Sequence, residues 1–298
     1  NLQRHHIRFA DPNITVAGIF AKYLAAGVAK AWDIERSKQW LFFFADRIAA
    51  QLTRNDARIY RVQRHAAKKV SDTTVNRDLQ AIRHLLYWAV DEGLLLSNPF
   101  ARLPMVRDRR KKRAVLSVQD EQLLLAESAS HLRRIVICAL DTGMRRGEIL
   151  HQQWEDIDFG RELLWVSRSK TPEGECREIP LTRRLFALLW ELRQDHGPIF
   201  TFKDRAITRI KTAWKGAVRR SGIRPLRFHD LRHTFTTRLL EAGVLRETRM
   251  AIVGHSTGDD VHSIYSHVEL PMKREAIRKL ETWVETQLNN SQTERRNA

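Results

Sequence analysis

The residues best suited to chemistry gather toward the C-terminal end. His229-Asp230-Leu231-Arg232-His233 is followed by an amphipathic run to Gly243, then by Gly254-His255, and then by Tyr265 within Ser263-Ile264-Tyr265-Ser266-His267. Residues three apart are neighbours on a helix, so a helix starting near His229 puts that imidazole and the Arg232 guanidinium on one face. His255 comes after a glycine turn, and the Tyr265 phenol soon after that. One guanidinium, two imidazoles and a nucleophilic oxygen could hold an anionic phosphoryl centre and attack it without a metal. Such a site calls for a polyanionic substrate, a second arginine and a general acid.

A second arginine stands in Asp141-Thr142-Gly143-Met144-Arg145-Arg146-Gly147-Glu148-Ile149-Leu150. Gly143 is expected to stop the preceding helix. That puts Arg145 at the start of the next one, a rigid place from which to aim a guanidinium at an anion, or to pair it locally with Glu148. A candidate acid is Lys170, in the turn Ser169-Lys170-Thr171-Pro172-Glu173-Gly174 of an expected hairpin. Arg168, just before that turn, competes with it for the position.

The elements that must hold these groups are mostly helical. Helices are expected over about 13–31 with Asn13 as N-cap, from Asp33 to Leu52, from Asp56 to Lys69, and from after Thr73-Thr74 to Gly93. The third of these carries Arg58, Arg61, Arg64, Lys68 and Lys69. A polar, basic run over 104–113, ending in Arg113, is the best candidate for a linker between domains at 1–103 and 114–298. Beyond it, Ser117 is read as the cap of a helix with Glu121 in its first turns, and a second apolar helix runs to Leu140. Alternating apolar residues after Trp154 predict two or three antiparallel strands, with helices at about Thr182–Gln194, Ala206–Arg220 and Met272–Gln287. The expected class is mainly α with a small antiparallel β-sheet (α+β).

Composition points the same way. The chain of 298 residues has 43% hydrophobic residues, enough for packed cores in two domains. A formal net charge of +17 favours a polyanionic partner, of which nucleic acid is the commonest. The first 113 residues hold 22 Lys+Arg against 10 Asp+Glu, so the stronger grip on phosphates is expected there. Two cysteines, Cys138 and Cys176, make neither a disulfide framework nor a metal-ligand spacing. No apolar run approaches the roughly 20 residues that cross a bilayer. A reducing cytoplasm is the expected compartment.

With Arg145, Lys170, His229-x-x-Arg232, Gly254-His255 and Tyr265 in this order, the sequence resembles the tyrosine recombinases, or phage-integrase family, over nearly its whole length. The helical first third, closing in Asn76-Arg77-Asp78-Leu79 and Asn98-Pro99, resembles their all-helical core-binding domain, and residues from about 114 their catalytic domain. The resemblance implies that Tyr265 attacks a DNA phosphate, forms a 3′-phosphotyrosyl link and releases a 5′ hydroxyl. Arg145 and Arg232 would bind the non-bridging oxygens, Lys170 would protonate the leaving oxygen, His229 would transfer a proton near the tyrosine, and His255 would hydrogen-bond the phosphate. Glu148 would support the site. Lys69, Arg77 and Arg113 are expected to contact DNA.

The two arginines take the place of magnesium, so no cofactor and no metal are expected. The implied partners are double-stranded DNA at attachment or core sites, three further copies of the chain on synapsed DNA, and accessory DNA-bending proteins; no membrane is expected. The final helix would either dock on a neighbouring protomer or close its own core. The implied setting is a bacterial or phage-encoded mobile element acting at the nucleoid. Two other readings share parts of the pattern: a type IB topoisomerase that relaxes supercoils, and a DNA-binding accessory protein that does not cleave.

Overall fold

The computed structural model describes residues 11–67, 70–106, 113–169, 176–254 and 269–297. The chain divides into two compact units, Asn1–Lys111 and Lys112–Ala298. Among the described residues no helix is long and apolar enough to cross a membrane.

The first unit is built from α1 (Val16–Ala25), α2 (Ala31–Phe44), α3 (Arg54–Ala67) and α4 (Asp72–Asp91). Leu79, Ile82, Leu86 and Ala89 recur every three or four residues along α4, so they form one stripe, which is fully buried. Against it lie Ile19, Tyr23, Trp40 and Tyr60 from the other three helices. Burial contributes about 1.5–3 kcal/mol for each large apolar side chain. One carboxylate sits inside this core. Asp78 is fully buried and accepts from Arg36 Nη1 (3.1 Å), the Tyr60 hydroxyl (3.0 Å) and Arg64 Nε (3.2 Å). Arg64, read from sequence as part of a basic face, therefore points inward. Asn76 pairs both ways with the Val106 backbone, at 2.7 and 3.2 Å, and so fastens the end of the unit to α4.

Helix boundaries differ from expectation at three points, the first being that α1 ends at Ala25 rather than near residue 31. The cap of α1 is Thr15, whose hydroxyl accepts from Gly18 N–H (3.1 Å), whereas the Asn13 N–H is already bonded to Asp11. The second helix stops at Phe44 instead of Leu52. Residues 47–49 pair there with the entry to α1, through Val16 N–H to Arg47 O (3.0 Å) and Ala49 N–H to Ile14 O (2.9 Å). Tertiary pairing takes the backbone groups that a longer helix would have used.

In the second unit, α5 (Val118–Ala126), α6 (Ser130–Thr142) and the short α7 (Arg146–Leu150) precede a three-stranded antiparallel sheet. Its strands are β1 (Ile157–Asp158), β2 (Leu163–Val166) and β3 (Arg177–Pro180), in sequence order, with Leu164 opposite Ile179 and Val166 opposite Arg177. Next come α8 (Arg183–Leu192), a small hairpin of β4 (Thr201–Phe202) and β5 (Arg205–Ala206), then α9 (Lys211–Arg220), α10 (Asp230–Glu241), α11 (Arg246–Val253) and α12 (Leu270–Asn297). The hairpin replaces the expected start of a helix at Ala206. Lys203 and Asp204 both take positive φ (51° and 59°), as a two-residue primed turn requires.

Phe235 on α10 is packed over Gly143, the left-handed residue (φ 63°) that ends α6. Any Cβ at position 143 would overlap the Phe235 ring. Ser117 does cap α5, accepting from Asp120 N–H at 3.0 Å. Glu121 takes no part in that cap. It is buried between Arg238 and Arg184, and Arg184 also pairs with Asp141. In this single chain Ala276, Ile277 and Leu280 of α12 close the chain's own core.

Candidate active site

Glu148 is the hub of the site. It lies in the first turn of α7, is buried, and has its two oxygens filled by donors from three segments. Oε1 accepts from Arg145 Nη1 (2.8 Å) and the Ser169 hydroxyl (2.7 Å); Oε2 accepts from the Arg145 backbone N–H (2.9 Å) and Arg177 Nη2 (2.6 Å). Burial by itself would raise this carboxyl, but the bonds and charge of Arg177, with help from Ser169 and Arg145, bring it down to about 2.

Arg145 is held by three partners. Besides Glu148 it donates to Ser169 Oγ (3.2 Å) and, through Nη2, to the Gly254 carbonyl (3.3 Å) at the end of α11. The early helix stop at Gly143 puts Arg145 at the N-cap of α7, so its backbone is as fixed as its guanidinium.

Arg232, in the first turn of α10, is 4% exposed. Its Nη1 donates to the Gly143 carbonyl (2.8 Å), while Nε and Nη2 meet no hydrogen-bond partner among the described residues. The neighbouring Asp230 accepts from the Arg227 N–H (2.9 Å). Burial, then repulsion from Arg145, lowers the Arg232 guanidinium to about 9. It is still charged at neutral pH, repelled by Arg145 and Arg177 and attracted by Glu148. An anion between Arg145 and Arg232 would satisfy both.

His229, at the N-cap of α10, lines a cleft of about 630 Å³ together with Arg145, Glu148, Arg168 and Ser169. Its imidazole is lowered by burial first and then by Arg232, Arg113 and Arg145. It is therefore neutral at neutral pH and able to accept a proton.

The structure thus brings together Arg145, Glu148, His229 and Arg232, with the exposed Arg113 near enough to act on His229. Arg77 is exposed on α4, in the other unit. Lys69, Lys170, His255 and Tyr265 lie outside the described residues. Sequence reading missed Arg177 altogether and saw Ser169 only as the start of a turn. The signal for Arg177 was its place two residues before the core residue Ile179 on a strand, which turns it to the buried face. Among the described residues no group of three or more His, Cys, Asp or Glu side chains is placed to hold a metal ion.

Two cationic arginines beside a buried carboxylate and a neutral imidazole are suited to a tetrahedral oxyanion. Residues 114–272, more than half of the chain, match the phage integrase family. The chain belongs to that family. The shufflon-specific DNA recombinase of Escherichia coli is 30% identical to it over 244 residues, covering 78% of this integrase-family chain and 62% of that protein. The chain therefore spans less than two thirds of that relative's length.

Its fold is that of solved integrases. The Tn1549 transposon integrase in complex with circular intermediate DNA superposes with a TM-score of 0.69 at 20% identity, covering 88% of this chain and 98% of that one. A lambda integrase dimer bound to a COC′ core site gives 0.67 at 19%, covering 86% and 98%. Lambda integrase is also known as a tetramer bound to a Holliday junction.

Proposed function

We propose that this chain is a site-specific DNA recombinase that cuts and rejoins DNA through a 3′-phosphotyrosyl intermediate, in the integration or excision of a mobile element. The observation that carries this reading is the pair Arg145 and Arg232. The first is clamped in place, and the second is buried with two nitrogens, Nε and Nη2, that meet no partner among the described residues. Preorganised donors of this kind stabilise charge that develops on a transferring phosphoryl group at no cost of reorganisation. Arg145 and Arg232 take the non-bridging oxygens. Tyr265 is the nucleophile, and neutral His229 accepts its proton. Lys170 protonates the leaving 5′ oxygen, and His255 donates a further hydrogen bond to the phosphate. The covalent ester conserves the energy of the broken bond, so a second 5′ hydroxyl can reverse the step without ATP. By analogy with the dimeric and tetrameric lambda integrase complexes, the working form is a homotetramer on two synapsed duplexes.

The test uses a nicked duplex carrying the attachment core of the element that encodes the chain, with wild type and Tyr265→Phe. After SDS denaturation, protein attached to the 3′ side of the break is expected with wild type and absent with Tyr265→Phe. Binding with no adduct from wild type would mean a non-cleaving DNA-binding protein. Relaxation of supercoiled plasmid by a monomer would mean a topoisomerase.

A further inference from the structure

Arg177 is 6% exposed and links two segments that hold Arg145 beside the cleft. Its Nη2 donates to Glu148 Oε2 (2.6 Å) and its Nε to the Ile252 carbonyl (3.0 Å). Glu148 in turn holds Arg145, and Ile252 lies two residues before Gly254, whose carbonyl accepts from Arg145 Nη2. One guanidinium on β3 therefore ties α7 to the end of α11, the segment that runs on to His255 in sequence.

The charge count gives the arrangement a purpose. Arg145, Arg177 and Glu148 together carry a net +1, as does Arg232. Without Arg177, Arg145 and Glu148 would form a closed, neutral pair, and Arg145 would have little attraction left for a phosphate. With Arg177 present the carboxylate is shared, so it can orient Arg145 without cancelling its charge. Lys273 of α12, itself lowered by burial, adds a further cation facing Arg177.

We infer that Arg177 is a positioning residue of the reaction, which shares Glu148 with Arg145 so that Arg145 is both oriented and left positive toward the phosphate. This rests on the recombinase reading of the cleft. It assigns Arg177 no contact with DNA, unlike Arg145 and Arg232.

The test compares wild type with Arg177→Met, Arg177→Lys and Arg177→Met/Glu148→Gln. The first probe is inorganic phosphate, read as its effect on the thermal melt, with Arg145→Ala marking phosphate bound elsewhere. Arg177→Met is expected to weaken the Arg145-dependent phosphate affinity about tenfold. The double variant, which restores the net charge beside Arg145, is expected to recover most of it. A purely structural role predicts no recovery, and that result, or phosphate binding by Arg177→Met equal to wild type, overturns the inference.

If Arg177→Met gives no cooperative melt, Arg177→Lys is decisive. Its single ammonium keeps the charge but cannot reach Glu148 and Ile252 together. Phosphate affinity should stay within about threefold while adduct formation on the nicked duplex falls about tenfold or more. Equal losses in both readouts, or no loss in either, sink it. An adduct made equally well by wild type and Arg177→Met removes the positioning role and leaves the recombinase reading standing. No adduct from wild type, with the phosphate results as expected, does the reverse.

Discussion

Glu148 is the residue whose ionisation most affects the site. Its carboxyl sits at about 2 in the folded chain against a usual 4.5, so the unfolded chain binds a proton first as pH falls. The stability it contributes is complete above about pH 4.5 and is lost as pH drops toward 2. Glu148→Gln should therefore be less stable than wild type at pH 7, by on the order of 2–3 kcal/mol, and the gap should close in acid. Urea midpoints measured from pH 7 to pH 3 check this; a gap that does not change with pH would mean the carboxylate is not charged in the folded site. Its neighbours show the same division of labour. Arg145 is oriented by protein acceptors, while Arg232 keeps two nitrogens, Nε and Nη2, without a partner among the described residues.

At the scale of elements, the α6–α7 corner and α4 do most of the positioning. Gly143 has to be left-handed and has to lie under Phe235, and its carbonyl is the one acceptor Arg232 has among the described residues. Gly143→Ala should cost about 1–2 kcal/mol for the backbone alone. Ring overlap adds to that, and the melting temperature should fall by several degrees. Adduct formation should fall further than stability does, because the corner carries Arg145 and holds Arg232 through the Gly143 carbonyl. Equal melting temperatures for Gly143→Ala and wild type would refute the packing argument. In the first unit Asp78 joins α2, α3 and α4 through Arg36, Arg64 and Tyr60. Asp78→Ala strands two cations at a buried position and should cost about 3–5 kcal/mol. Protease sensitivity appearing within 11–106 and not beyond 113 is the expected sign.

For the whole molecule, charge is the governing quantity. A formal +17, with the excess concentrated in the first 113 residues, makes DNA affinity steeply dependent on salt. Arg77 and Arg113 are exposed, so Arg77→Ala and Arg113→Ala should each reduce the slope of log affinity against log salt by about 1 and weaken binding similarly on all sequences. Fluorescence anisotropy from 50 to 300 mM salt measures it, and an unchanged slope takes the residue off the DNA. Arg64, equally basic in sequence, is spent inside the core and should not be tested this way.

What the sequence determined by itself was mostly local. Helical stripes such as Leu79, Ile82, Leu86 and Ala89, the helix stop at Gly143, the cap at Ser117, and the neighbouring places of His229 and Arg232 all follow from spacings of a few residues, where chain geometry dictates who can meet. Expectations failed where a distant partner decided. Arg47 and Ile48 end α2 by pairing with the start of α1, and Arg64 turns inward to Asp78; Glu121 keeps its expected place in the first turn of α5, but its carboxylate meets Arg238, 117 residues away. Arg177 reaches Glu148 across 29 residues because a strand register, rather than a spacing, puts it there. A buried charge is tolerated where an opposite charge lies within about 3–4 Å. Which arginines are structural and which remain for a phosphate is a question of tertiary distance, and periodicity carries no record of it.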